Sequence, residues 1–157
     1  MQKIKKLSAL LLAVVLMLVV MTGCGGGGGY GPVDGRTMFV NRVNQARREN
    51  YRSALVRNAD LDEAAKSGVE LYTMYLDGKI TLSELLVARN KVLNTWGSDG
   101  KCTYMDWFNV SSDSYYSGNY KIASNSDIRT VNGDYIGVYA VSYRGQMRIC
   151  AIIVDIY

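Results

Sequence analysis

The C-terminal segment constrains the fold more than any other part of this chain. Met147–Tyr157 is expected to be a β-strand, and its two alternating sets of side chains are both apolar: Ile149, Ala151 and Ile153 in one set, and Cys150, Ile152 and Val154 in the other. Because neighbouring side chains of a strand point to opposite faces of a sheet, both faces of this strand must be buried. We therefore expect a central strand that is covered on both sides.

Three helices are expected before the strands, because apolar residues recur there at helical spacing. They run over Arg36–Val56, from Asp60 to a stop at Asp77-Gly78, and from Thr81 to a stop at Gly97. The second and third helices begin with the spacing of a capping box, Asp60 with Glu63 and Thr81 with Glu84.

After Gly100 the composition changes, and eight of the 12 tyrosines lie between Tyr104 and Tyr157. β-Branched and aromatic residues predict strands at Cys102–Val110, Tyr135–Tyr143 and Met147–Tyr157. Arg144-Gly145 is expected to form a tight hairpin turn. Helices followed by strands in a chain of 157 residues predict one α+β domain, with N-terminal helices followed by an antiparallel sheet.

The first residues have the pattern of an exported bacterial lipoprotein. Lysines 3, 5 and 6 precede the apolar run Leu7–Met21, and Met21-Thr22-Gly23-Cys24 resembles a lipobox. We expect residues 1–23 to be a signal peptide and Cys24 to carry lipid such as palmitate. Residues 24–35 are then a glycine-rich tether and 36–157 the folded domain. The alternative is an uncleaved anchor, but the apolar run is shorter than the ~20 residues of a spanning helix. The expected location is extracytoplasmic, on the cell membrane or the outer membrane.

The lack of histidine excludes several kinds of chemistry. With 0 His, the chain has no Ser-His-Asp or Cys-His triad and no imidazole ligand for zinc. We expect no catalytic residues, no metal and no cofactor. Without the three lysines of the leader, 15 of the 18 basic residues remain against 14 acidic ones, a net charge of +1 that gives no support for nucleic-acid binding.

Two cysteines, Cys102 and Cys150, lie in predicted strands. In an oxidising compartment they would form a disulfide between neighbouring strands. The alternative is a pair of buried thiols that pack as small apolar groups. The sequence leaves both alternatives open.

The segment Ser111–Asn132 is rich in Ser, Asn, Asp and Tyr and is expected to be a long loop, which in a small domain is often a functional surface. We expect this loop to expose Tyr115, Tyr116 and Tyr120, whose rings would contact sugars or peptides. A rival hypothesis is a hydrolase with two carboxylates, drawn from Asp99, Asp106, Asp113, Asp127 and Asp134. In their polar settings these aspartates more often hold turns.

Several short motifs resemble the CAP superfamily, whose bacterial members are called SCP-like. They are Asn44-x-x-Arg47, Leu55, Asn58, Leu61-x-x-Ala64-Ala65, Glu70 and the stretch Asp134–Ala140, in which Tyr139 replaces a usual glycine. Together they cover roughly 38–79 and 134–157. The resemblance implies a three-layer α-β-α sandwich and an extracellular binding module for lipid, sterol or wall material. It also implies a cleft beside Glu70 and Tyr75, but the two histidines of the family cleft have no counterpart here.

These observations predict a non-catalytic extracytoplasmic lipoprotein. Its expected partners are the membrane, through its lipid, and a lipid, cell-wall fragment or envelope protein bound through Ser111–Asn132 and the adjacent cleft. The alternatives are the two-carboxylate hydrolase and a structural subunit of an envelope complex, for which an exposed apolar patch would be the sign.

Overall fold

The structure is a computed structural model that describes residues 33–97 and 100–156. The predicted signal peptide 1–23, the lipidation site Cys24, most of the predicted tether and Asp99 lie outside the described residues. In the described ranges, no helix has both the length and the apolar character that a membrane-spanning segment needs.

The helices come first in the chain and the long strands after them, as predicted. The elements are α1 (Val33–Arg48), β1 (Val56–Arg57), α2 (Ala59–Leu76), α3 (Leu82–Leu93), β2 (Trp96–Gly97), β3 (Gly100–Ser111), α4 (Ser112–Ser117), a 3-10 helix (Asp127–Arg129), β4 (Tyr135–Tyr143) and β5 (Gln146–Ile156).

The strands form one sheet in the order β1-β4-β5-β3-β2. The doubly apolar strand β5 is central, and it pairs antiparallel with both β4 and β3. The two-residue strand β1 runs parallel to β4, so the sheet is mixed at one edge and otherwise antiparallel. At the turn between β4 and β5, Arg144 and Gly145 both have positive φ, 49° and 78°, as a two-residue hairpin requires.

Each face of the sheet carries its own apolar core, so the predicted three-layer α-β-α arrangement is confirmed. On one face, α2 and α3 cover the even-numbered residues of β5, from Cys150 to Val154. On the other, α1, α4 and the 3-10 helix cover its odd-numbered residues, from Met147 to Ile153. Helix α2 approaches the sheet so closely at Gly137 that any side chain there would meet the backbone of Leu61.

A β-bulge between Cys102 and Tyr104 shifts the alternation of β3 by one residue. Cys102 and Met105 therefore both face α2 and α3, whereas Tyr104 faces α1. The bulge brings Thr103 out of the regular pairing, next to the cavity described below.

Of the two alternatives for Cys102 and Cys150, the structure has the pair of buried free thiols and no disulfide between them. Cys102 lies opposite Val154, whereas Cys150 lies opposite Trp107. The two positions are thus four residues apart along β5, or about 13 Å at ~3.3 Å per residue, and a disulfide needs Cα atoms within ~7 Å.

Three helix boundaries differ from the prediction, and one agrees with it. Helix α3 ends at Leu93 rather than at Gly97, because Trp96 and Gly97 form β2. Helix α1 ends at Arg48 rather than near Val56, because Tyr51 turns the chain with a φ of 56°. Asn58, not Asp60, caps α2, and its side chain accepts the backbone N–H groups of residues 60 and 61. The capping box of Thr81 and Glu84 is present as predicted.

Candidate functional site

A depression of about 310 Å³ that is open to solvent lies at the edge of the sheet beside the bulge of β3. Strand β2 pairs only with Gly100 and Lys101, so beyond them the outer edge of β3 has no neighbouring strand among the described residues. We call this space the edge cavity, and it is lined by Arg89, Leu93, Thr103, Tyr104, Asp127, Thr130 and Val131. Three of these residues belong to Ser111–Asn132, the segment that the sequence marks as a functional surface.

Arg89 supplies a positive charge to the edge cavity from helix α3. Its Nε donates a hydrogen bond of 2.6 Å to the carbonyl oxygen of Met105, on the unpaired edge of β3. In the described part of the chain, its two terminal nitrogens make no hydrogen bond and no ion pair. The guanidinium is therefore held through its Nε–H, and the N–H donors of its two terminal nitrogens are free for a ligand.

Asp127 supplies a negative charge from the first position of the 3-10 helix. Its backbone carbonyl accepts hydrogen bonds from the backbone N–H groups of Thr130 and Val131. Its exposed carboxylate has no hydrogen bond or ion pair with any described residue. Arg89 and Asp127 thus line the same cavity with opposite charges and do not pair with each other.

Arg47 holds the 3-10 helix segment in place. Its buried guanidinium donates to the carbonyl oxygens of Ser53, Ile128 and Val131 at 2.8–3.0 Å. Burial lowers the pKa of this guanidinium, and the charge of Arg52 adds to the effect. Because Ile128 and Val131 flank the wall of the edge cavity, Arg47 positions that wall without entering the cavity.

Asn44 has a similar structural role one turn earlier. Its side-chain amide donates to the carbonyl oxygen of Leu55 and accepts the N–H of Leu55, at 3.0 and 2.8 Å. The Asn44-x-x-Arg47 motif therefore ties α1 to two returning segments of backbone.

Tyr104 and Thr103 of β3 also line the edge cavity. Tyr104 is 5% exposed, and its hydroxyl makes no hydrogen bond of ordinary geometry with the described residues. Burial raises the pKa of Tyr104. The nearby Ser126 side chain and the charge of Arg89 lower it by a smaller amount. The hydroxyl is therefore a neutral group. The Thr103 hydroxyl donates to the carbonyl oxygen of Asn132 at 2.6 Å.

The expected exposure of the loop tyrosines is wrong for two of the three. Tyr115 is fully buried, with its ring against Gly35 of α1. Tyr120 stacks on Phe39, and its hydroxyl is buried. Tyr116 is 41% exposed. The reason is that the segment is not an open loop: α4 and the 3-10 helix turn its aromatic side chains into the second core.

Glu70 and Tyr75 lie elsewhere, on α2. Glu70 is exposed, and Tyr75 stacks on Tyr72, which stacks on Trp107 of β3 with ring centroids 5.5 Å apart. The Trp107 indole N–H donates to the carbonyl oxygen of Gly68 at 2.8 Å. This aromatic stack is a half-buried surface on the first face of the sheet, and neither Glu70 nor Tyr75 lines the edge cavity.

The described aspartates of the hydrolase hypothesis lie in different parts of the fold and have different hydrogen-bond partners. Asp106 accepts the backbone N–H of Trp107, and Asp134 accepts that of Ile156. Asp113 lies in the first turn of α4, and Asp127 lines the edge cavity. Within the described ranges, no group of three or more Cys, Asp or Glu side chains is placed to hold a metal ion.

Sequence reasoning missed Arg89, although a signal was present. Arg89 interrupts the apolar pattern of the third helix, between Leu85 and Val92, which are both buried. A charged residue at such a position must reach a polar partner, here the edge of β3.

None of the protein-family models, curated proteins or solved structures compared with this chain matches it.

Proposed function

We propose that this chain is a non-catalytic binding protein of the bacterial envelope, anchored by lipid on Cys24, and that its ligand occupies the edge cavity. The observation that carries the proposal is the pair of opposite, unpaired charges, Arg89 and Asp127, that line one cavity. Its volume of about 310 Å³ lies at the lower end of the ~300–1,000 Å³ of small-molecule sites.

The setting of Arg89 supports binding rather than simple solvation. A freely solvated arginine loses side-chain entropy when it contacts a ligand, whereas Arg89 is already held by Met105. Arg47 likewise fixes the segment that carries Asp127. The Arg89 side chain and the backbone segment that carries Asp127 are therefore both held in place before a ligand binds.

The envelope location rests on the sequence of the leader and on the resemblance to CAP domains, which are extracellular. Candidate ligands are accordingly wall fragments, lipids or envelope proteins. The lack of histidine, and the backbone hydrogen bonds made by Asp106 and Asp134, favour a binding role over hydrolysis.

Co-sedimentation of the purified full-length protein with insoluble peptidoglycan tests this proposal. We expect retention of the wild type, and loss of retention in Arg89→Met and Asp127→Asn. Lys91→Met, an exposed change on the same helix, and Asp113→Asn are the matched controls and should bind like the wild type. Equal retention of all five proteins, or of none, contradicts the proposal. Release of soluble fragments from the peptidoglycan would favour the hydrolase instead.

A second candidate function is that of a structural subunit, which exposed apolar residues on α3 favour. Leu82, Leu86 and Val87 are 51%, 42% and 50% exposed. Contiguous exposed apolar surface often marks a protein interface. If this function holds, the protein should elute from size-exclusion columns in a larger assembly after mild extraction of the envelope, and Leu82→Gln/Leu86→Gln should elute as a monomer.

A further inference from the structure

We infer that the ligand of the edge cavity is a zwitterionic amino compound, either a free α-amino acid or the end of a short peptide. Its carboxylate would bind Arg89 and its ammonium group would bind Asp127. This inference rests on the proposed function and names the ligand class of the same site.

Arg89 has the geometry for a carboxylate. A guanidinium is a planar fork of N–H donors, and it binds carboxylates through two parallel hydrogen bonds. Because Nε donates to the Met105 carbonyl, the orientation of the fork is fixed and its two terminal nitrogens remain for a ligand. A lysine could not be held in this way, since it presents a single point charge.

Asp127 has the chemistry for an ammonium group. An ionised carboxylate only accepts hydrogen bonds, and an ammonium group only donates them. The carboxylate of Asp127 receives no hydrogen bond from the described residues, so its acceptor capacity is free.

The two charges together select a zwitterion over a simple ion. A simple anion that approaches Arg89 is repelled by Asp127, and a simple cation that approaches Asp127 is repelled by Arg89. A molecule that carries both charges gains from each residue.

The rest of the wall fits a small amino compound. Leu93 and Val131 line the cavity with apolar side chains, which offer surface to a short side chain. A volume of about 310 Å³ equals roughly ten water molecules in the liquid, which is room for an amino acid or a dipeptide.

Isothermal titration of the full-length protein with alanylalanine tests the inference. N-acetylalanylalanine lacks the ammonium group and alanylalanine amide lacks the carboxylate, and each should bind at least tenfold more weakly than the zwitterion. Asp127→Asn should abolish the preference for the free amine, and Arg89→Met the preference for the free carboxylate. Arg89→Lys should lie between Arg89→Met and the wild type, and Lys91→Met should match the wild type.

Equal affinity for the blocked and free dipeptides, or no binding of any of them, overturns the inference. If peptidoglycan retention still depends on Arg89 in that case, envelope binding survives and only the ligand class is wrong. If the zwitterion binds with the expected discrimination but peptidoglycan is not retained, the ligand class stands and the wall-binding role fails. Competition between alanylalanine and peptidoglycan would identify wall peptide ends as the source, and binding without competition would identify free amino compounds.

Discussion

Replacement of Asp62 by alanine should destabilise the domain by about 3 kcal/mol. Oδ1 of this buried carboxylate accepts the backbone N–H of Val138 at 2.7 Å, and Oδ2 accepts two hydrogen bonds from Arg57 at 2.6 and 3.1 Å. An unsatisfied buried N–H costs about 1–3 kcal/mol. The side chain of Arg57 is 26% exposed, so water recovers part of its lost interaction, and the ion pair adds only about 1 kcal/mol.

Asp62→Asn separates the two contributions. The asparagine oxygen still accepts the N–H of Val138. The NH2 group that replaces Oδ2 cannot accept hydrogen bonds from Arg57, so those bonds and the ion pairs with Arg57 and Arg36 are lost, and we expect about 1 kcal/mol. Urea and thermal unfolding of both variants measure these values, and the alanine variant should melt about 10 °C below the wild type. Glu63→Gln, an exposed change at the next position of α2, is the control. An alanine variant within 1 kcal/mol of the wild type, or an asparagine variant as unstable as the alanine one, refutes this reasoning.

Three further predictions concern the packing, the caps and the thiols. Gly137→Ala should cost about 2 kcal/mol or more, because its methyl group would meet the backbone of Leu61. Gly78→Ala, with open space but a φ of +71°, should cost only about 1 kcal/mol, and urea unfolding that ranks the two the other way contradicts this account. The backbone N–H and the hydroxyl of Thr81 donate hydrogen bonds to the Glu84 carboxylate and lower the pKa of Glu84 below its ordinary 4.5. The stability that these hydrogen bonds add is therefore fully present above pH 4.5, and it is lost as the pH falls through the lower pKa that Glu84 has in the folded protein. The difference in unfolding free energy between the wild type and Glu84→Gln should shrink over that acid range, and a constant difference would argue against the contact. Burial raises the pKa of Cys102 to about 12 and that of Cys150 well above 9.0, so a disulfide dye should label neither thiol until the protein unfolds; rapid labelling of the native protein would show that they are accessible.

The architecture could be predicted because its determinants are local and repeated. The two apolar sets of β5 required a covered, central strand, and the Thr81 and Glu84 spacing required a helix start. The short strands β1 and β2 could not be predicted, because two residues carry no pattern and are strands only through their neighbours.

The site was harder to predict because it depends on contacts between distant segments. Helix α4 has six residues, too few to show a helical period, so the burial of Tyr115 against Gly35 was invisible in the sequence. The bulge at Thr103 changes which residues of β3 share a face, and it decides both the separation of the two cysteines and the position of Tyr104. The lipid anchor on Cys24 and the resemblance to CAP domains remain predictions.

The most direct test of the binding proposal is an amide and side-chain NMR titration of the protein with alanylalanine. We predict that the shifted signals are those of the edge cavity, namely the amides of Thr103, Tyr104, Asp127 and Thr130 and the Nε–H of Arg89, while the indole N–H of Trp107 in the aromatic stack does not move. Shifts centred on Trp107 and Tyr72 would contradict the assignment of ligand binding to the edge cavity, and no shifts at all would contradict the zwitterionic ligand.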